Sequence, residues 1–144
     1  MIRRATKFDK PIIKELLRRF RDSSGYDELA HVEDSPHIDG LLDTVLAGAG
    51  VVFLAENFGM LAALIQPSIW CSKTMVMHEL AWFVTPEHRG STAGYRLLKH
   101  YIAFGNELKA AKRIKYFTLS QLDTSPAMDY TKQGFRKKDE NWIQ

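Results

Sequence analysis

The stretch TPEHRGSTAGYRLLKHYIAFG, residues 85–105, sets Arg89, Gly90 and Gly94 just ahead of Tyr95, Leu97, Leu98, Tyr101, Ile102 and Phe104, which recur at helical spacing. The pattern predicts an amphipathic helix that begins near Thr92 and ends near Gly105 or Ala111. Ahead of it, TMVMHELAWFVT (74–85) is an apolar strand long enough to carry a bulge. A strand entering a helix through such a loop leaves the first helical N–H groups unpaired, with the positive end of the macrodipole behind them. Gly90 and Gly94 permit torsions and a close approach that a β-carbon obstructs, and Arg89 adds a positive charge. The ligand expected at such a loop is a phosphate or pyrophosphate. No Gly-Lys-Ser/Thr follows and no G-x-G-x-x-G is present, which excludes the nucleoside-triphosphate loop and the dinucleotide fingerprint. Taken alone, the same residues also describe a glycine-bearing turn with a solvated arginine.

Composition sets the frame around this loop. A chain of 144 residues with 45% hydrophobic content predicts one globular domain over residues 1–144. A chain of this length buries roughly two-thirds of its unfolded surface and needs neither disulfide nor metal to fold. The single Cys71 cannot bridge internally and reads as a thiol of a reducing compartment. Met1 to Asp9 is charged rather than apolar, and no apolar run approaches the roughly 20 residues of a membrane-spanning helix, so a cytoplasmic location without membrane association is expected. The net charge of +3 is unevenly placed: basic residues crowd the start and the stretch from Arg89 to Lys115. Between them Asp22, Asp27, Glu28, Glu33, Asp34, Asp39 and Asp43 are opposed by no Lys or Arg. This argues against a uniformly basic face and against nucleic acid as the partner.

Along the chain, Ile2 to Ala5 reads as a strand. Phe8 to Arg21 reads as a helix, with Asp9 and Pro11 at its start. SPHIDGLLDTVLAG (35–48) gives a shorter helix with Ser35 as N-cap, Pro36 at the first helical position and Gly48 near the end. GVVFLAE (50–56) and MLAALIQP (60–67) form a hairpin through Asn57, Phe58 and Gly59, with Gly59 taking positive φ. RIKYFTLS (113–120) is a further strand, SPAMDYTKQ (125–133) a short helix capped by Ser125, and GFRKKDENWIQ (134–144) a final strand. The order βααβββαβαβ implies a mixed sheet in an α/β (α+β) layer architecture.

Two motifs give the chain a resemblance to the GNAT superfamily of acyl-CoA-dependent N-acyltransferases. The superfamily's pyrophosphate loop, Arg/Gln-x-x-Gly-x-Gly/Ala after a strand and a proline, is matched by PEHRGSTAG through Pro86, Arg89 and Gly94, with Thr92 where the family prefers glycine. Its late Tyr-x-x-x-Gly-Phe is matched by YTKQGF through Tyr130, Gly134 and Phe135. Asp123 stands where many members carry asparagine. The resemblance implies a mostly antiparallel twisted sheet flanked by about four helices and splayed between the fourth and fifth strands. It also implies transfer of an acetyl group from acetyl-CoA to a primary amine, without a metal, and it admits a homodimer.

Carried residue by residue, the resemblance implies that Trp82, Phe83 and Val84 offer a strand edge to the pantetheine arm, with backbone N–H groups polarising the thioester carbonyl. It implies a pyrophosphate cradle of Arg89, Gly90, Ser91, Thr92, Ala93, Gly94 and Tyr95. Tyr130 falls where the family's tyrosine protonates the departing thiolate, and a phenol near pKa 10 stays protonated at neutral pH. Glu79 falls on the fourth strand, where many members keep a carboxylate that takes the amine's proton; burial would have to raise its pKa.

Strict alternation puts Glu79, Ala81 and Phe83 on one face and His78, Leu80 and Trp82 on the other. At most one of His78 and Glu79 then faces substrate unless a bulge intervenes. His31, His37, His88 and His100 lack mutual ligand spacing, so no metal site is expected. Trp70 and Cys71 either wall an acceptor pocket or pack on the core. The acidic residues 22–43 fall on the first two helices and their connection, which in the family form much of the acceptor site. A cationic amine would be favoured there. Thr92 and Asp123 keep a second reading open: a catalytically weak binding protein of this fold that grips a nucleic acid or an acidic protein.

Overall fold

The computed structural model describes residues 1–122, 125 and 128–144. Five strands form one sheet in sequence order: β1 (Ile2–Arg4), β2 (Gly50–Ala55), β3 (Gly59–Ser68), β4 (Cys71–Val84) and β5 (Phe117–Thr118). The first four are antiparallel neighbours, and β5 joins β4 in parallel through Met77–Phe117 and His78–Thr118. Among the described residues the two strands pair no further. β4 runs on to Val84 alone on that side, and the sheet is forked there.

Helices α1 (Lys10–Ser23) and α2 (Ser35–Thr44) cover one face, and α3 (Ala93–Ala110) covers the other. Ile13, Leu16 and Leu42 pack with Val52, Leu54, Met60, Ala81 and Phe83 in the first layer. Leu97, Tyr101 and Leu108 pack with Val51, Phe53, Leu61, Ala63 and Met77 in the second. β2 feeds alternate residues into both layers. It therefore reads as a nearly continuous apolar run.

Local chemistry sets the boundaries. Thr6 caps a 3₁₀ turn (Lys7–Asp9), and Asp9 turns its carboxylate back onto Thr6 N–H at 2.8 Å and onto both terminal nitrogens of Arg3 at 2.7 and 2.9 Å. Arg3 and the Thr6 N–H hold the Asp9 carboxyl well below the usual carboxylate range. α1 begins two residues after the expected Phe8, because Pro11 fits only at a helix start. At α2 the cap is Asp34, whose carboxylate accepts from His37 N–H at 3.2 Å, rather than the expected Ser35. In the β2–β3 hairpin Glu56 takes the positive φ of 50°, and Gly59, expected to do so, is paired in β3. A β-carbon on Gly59 would come within 3.2 Å of Ala55 Cβ, so that glycine serves close packing.

The C-terminal expectations are cut down. The strand expected over 113–120 is cut to Phe117–Thr118, led in by backbone bonds from Lys115 N–H to Met75 O at 2.8 Å and from Met77 N–H to Tyr116 O at 3.1 Å. The short helix expected over 125–133 is a 3₁₀ turn (Tyr130–Gln133) capped by Asp129 rather than Ser125, and part of the predicted stretch lies outside the described residues. The final strand, 134–144, does not form. Arg136 to Glu140 is a charged run without the alternation a half-buried strand needs, and Trp142 and Ile143 stand exposed. The described residues thus form three α-helices and five strands where four helices and six strands were expected.

Candidate active site

β4 carries a bulge where it approaches the fork. Ala63 of β3 pairs with Glu79 and Ala62 pairs with Ala81, which leaves Leu80 as the extra residue. The bulge reverses the facing of everything beyond it. Ala81 and Phe83 enter the α1–α2 layer, whereas Trp82 and Val84 join the α3 layer to which Met75 and Met77 also belong. Strict alternation, with Glu79 and Phe83 on one face, is therefore corrected: Glu79 shares its face with Trp82.

Glu79 is half-buried at the fork, and its charge bears on two tyrosines, Tyr101 and Tyr130. Burial pushes its carboxyl up to about 7, and Ser120 N–H, which donates to Oε2 at 3.4 Å, works in the opposite direction. The neighbouring candidate His78 is engaged elsewhere. Its Nδ1 lies 2.7 Å from Thr118 Oγ1, and its ring meets Tyr116 edge-on at 6.5 Å. Burial, reinforced by Lys138, lowers its pKa and keeps it neutral.

Tyr130 opens the 3₁₀ turn, where Asp129 Oδ1 accepts from Thr131 N–H at 3.1 Å. Gly134 closes the turn at φ 93°, a left-handed conformation that favours glycine, and Phe135 N–H returns to Tyr130 O at 3.2 Å. Phe135 then meets Phe117 edge-on at 5.7 Å, which anchors the turn to β5. This is the physical content of Tyr-x-x-x-Gly-Phe: a reversal that needs glycine, a phenyl anchor, and a tyrosine left projecting at the fork. The Tyr130 ring lies 6.3 Å from that of Trp82, edge-on. Burial, and secondarily the Glu79 charge, raise the Tyr130 pKa above that of an ordinary phenol. One side of the fork thus holds a carboxyl that titrates near neutrality and a phenol that stays protonated, an acid and a base pushed apart.

The loop between β4 and α3 is built largely as its residues suggest. Gly90 takes φ 90°, and a β-carbon there would meet nothing within 4 Å; one on Gly94 would meet only Val84 Cγ2, at 3.7 Å. The space over both is open to a ligand. Ser91 Oγ donates to His88 O at 2.7 Å and accepts from Ala93 N–H at 3.3 Å. Arg96 N–H is satisfied by Thr92 O at 2.9 Å. The helix geometry leaves Gly94 and Tyr95 N–H without intrahelical partners at the positive end of the dipole. Thr92 sits at φ −83°, so the residue that stands in for glycine imposes no backbone strain. Arg89 folds back: its Nε donates to Val84 O at 3.0 Å, and its guanidinium lies 5.6 Å from the centre of the Phe83 ring. That places its charge at the end of β4 and occupies the Val84 carbonyl.

Other sequence-flagged residues lie elsewhere. Much of the acidic run is already matched: between α1 and α2 by Lys10 to Asp43 at 2.7 Å and Lys14 to Asp39 at 3.2 Å, between α1 and the segment before α2 by Arg18 to Glu33 at 3.1 Å, and within α1 by Arg21 to Asp22 at 2.9 Å. These acids face the basic stripe of α1, so the expectation of an open anionic wall for a cationic acceptor is corrected. Ile69 and Trp70 form the tip of the β3–β4 hairpin, 89% and 88% exposed, and pack neither on the core nor at the fork. Trp70 is separated from Glu79 by about 30 Å of chain at ~3.3 Å per residue, which removes it and Cys71 from the surroundings of Glu79. Asp123 lies outside the described residues. Among those described, no group of three or more His, Cys, Asp or Glu is arranged to hold a metal, and no helix is long and apolar enough to cross a membrane.

Two partners of the site, Tyr101 and Ser120, escaped the sequence reading. At its helical spacing Tyr101 reads as one more apolar position of α3, although a buried phenol calls for a hydroxyl acceptor. Ser120 contributes only its backbone N–H, which no side-chain pattern marks.

A forked sheet, a glycine-bearing loop entering α3 and a tyrosine turn across the fork are the parts of an acyltransferase fold. The family model described as the acetyltransferase (GNAT) family matches residues 10–135, and the chain belongs to that family. Among solved structures, a "predicted acetyltransferase" of Clostridium acetobutylicum, crystallised with acetyl-CoA, aligns at TM-score 0.76 and 19% identity over 100% of this chain and 94% of its own. A GCN5-related N-acetyltransferase of Ralstonia eutropha JMP134 aligns at TM-score 0.76 and 18% identity over 100% and 97%. An aminoglycoside acetyltransferase from an uncultured soil metagenomic sample aligns at TM-score 0.66 and 18% identity over 100% and 92%. At these identities the likeness is one of fold. No curated protein matches the chain.

Proposed function

We propose that the chain moves an acetyl group from acetyl-CoA to a primary amine of a small molecule or protein, by direct attack in a ternary complex. The observation that carries this reading is the pairing at the fork of Glu79, whose carboxyl titrates near 7, with Tyr130, which is held protonated beside Trp82.

The residues present fit the donor. Gly94 and Tyr95 N–H, with the open space over Gly90, suit a pyrophosphate. The outer edge of β4 from Glu79 to Val84, left unpaired by β5, suits an extended arm that adds to a sheet edge. When bound, acetyl-CoA supplies an activated acetyl thioester. Glu79 then takes the proton from the incoming amine, so that the nitrogen lone pair is free to form the new C–N bond. As the C–S bond breaks with its electron pair on sulfur, Tyr130 donates its phenolic proton to that sulfur. Trp82 holds the Tyr130 ring in place, and Arg89 ties the end of β4 to the loop.

The test is calorimetric titration with acetyl-CoA and with CoA lacking the 3′-phosphate, followed by a screen of primary amines for thiol release. Saturable acetyl-CoA binding that Arg89→Glu weakens at least tenfold, together with amine-dependent thiol release, is the expected result. Absence of binding to either compound overturns the reading.

A further inference from the structure

Tyr101 heads the fully buried side chains of the core, and the proposed chemistry leaves it unused. Burial drives its pKa far above that of an ordinary phenol, and its proton is committed: the hydroxyl donates to the Thr118 carbonyl at 2.6 Å. Its ring meets Phe117 edge-on at 5.4 Å. Such a group cannot supply a proton at neutral pH, so its effect must be on position. Thr118 ends the pairing between β4 and β5, and it is gripped on two sides, at the carbonyl by Tyr101 and at the hydroxyl by His78. Just beyond it the chain leaves β4, and Ser120 N–H reaches back across the fork to Glu79 Oε2.

We propose that Tyr101 is a positioning residue: by pinning the Thr118 carbonyl at the fork, it holds the Ser120 N–H against the Glu79 carboxylate. A backbone donor stabilises the ionised carboxylate against the burial that opposes it. Glu79 therefore ionises at a pH where it remains useful as a base. Ser120 N–H from the segment after β5 donates to Glu79, and the titratable groups coupled to its charge are Tyr101 from α3 and Tyr130 from the C-terminal turn; its β3 partner, Ala63, is uncharged. Neighbouring His78 is neutral, and Lys138 and Asp139 bear on it rather than on Glu79. The proposal rests on Glu79 being the base for its consequence in catalysis, but not for its measurement.

The experiment is a carbon-13 NMR titration of glutamate side-chain carboxyls in the whole protein, with Glu79→Gln identifying the resonance. The Glu79 midpoint should rise by about half to one pH unit in Tyr101→Phe, the loss expected for one hydrogen bond to a carboxylate. Ser120→Pro, at an exposed position, deletes the donor itself and should raise the midpoint equally, with no further rise in the double variant. An unshifted midpoint in folded Tyr101→Phe, or in Ser120→Pro should Tyr101→Phe fail to fold, overturns the proposal. Full activity of Glu79→Gln would instead remove Glu79 as base and leave these midpoints as they are.

Discussion

Glu79 and Trp82 face the same side of β4, because the bulge at Leu80 inverts the alternation between them. Without the bulge, Trp82 and the tyrosine that packs on it would lie on opposite sides of the sheet from the carboxylate. The bulge thus brings the proposed base and the proposed acid to one side of the sheet, as bulges beside active sites commonly do by re-aiming side chains.

Glu79→Gln should lower kcat/KM for amine acetylation by about 10²–10⁴-fold, the usual weight of a general base. In the unaltered enzyme the rate should climb with pH through about 7, because the carboxyl must be ionised to act. The variant should lose that limb, which a pH series of thiol-release rates will show.

Tyr130→Phe retains the ring against Trp82 and removes the proton. Turnover should fall by about 10²-fold or more while acetyl-CoA affinity stays within twofold of the original, on the order of general-acid losses. Equal turnover in stopped assays would take Tyr130 out of the mechanism.

Stability should carry the mark of the raised carboxyl. Folded Glu79 binds its proton up to about 7, whereas in the unfolded chain it releases it near the ordinary glutamate value of 4.5. Between those limits the native state holds more protons, so stability falls as pH rises through the window and levels off above it. Glu79→Gln should therefore be more stable than the parent at pH 8, by on the order of 1–3 kcal/mol, and nearly equal to it at pH 4. Urea unfolding at the two pH values checks the sign.

Gly105→Ala should destabilise the protein. A β-carbon there would lie 2.5 Å from Phe117 Cδ1, and that ring is wedged between Tyr101 and Phe135. Overpacking of this kind costs about 1–3 kcal/mol, readable as a lower urea midpoint, and it should also unsettle the Tyr130 turn.

The parts legible in the sequence were those governed by local rules. Gly90 and Gly94 before an amphipathic run gave the loop and α3, and Gly134 with Phe135 gave the tyrosine turn. What escaped depends on partners far along the chain. Leu80 looks like any strand residue, and only the register against Ala62 and Ala63 makes it a bulge. Asp39 and Asp43 read as free carboxylates because Lys14 and Lys10 belong to another helix. β5 ends at Thr118, the residue that Tyr101 and His78 hold on two sides, and no pattern within RIKYFTLS marks that point.

The ion-pair ladder between α1 and the acidic run has a bearing on selectivity. Each rung is exposed or only partly buried and individually weak, yet together they act as counterions built into the chain itself. A cationic molecule approaching α2 meets a surface whose charge is already spoken for, and must displace a tethered lysine or arginine to claim a carboxylate. Discrimination among amines at that rim would then fall to shape and apolar contact. Raising the ionic strength would loosen the rungs and uncover the carboxylates while also screening them.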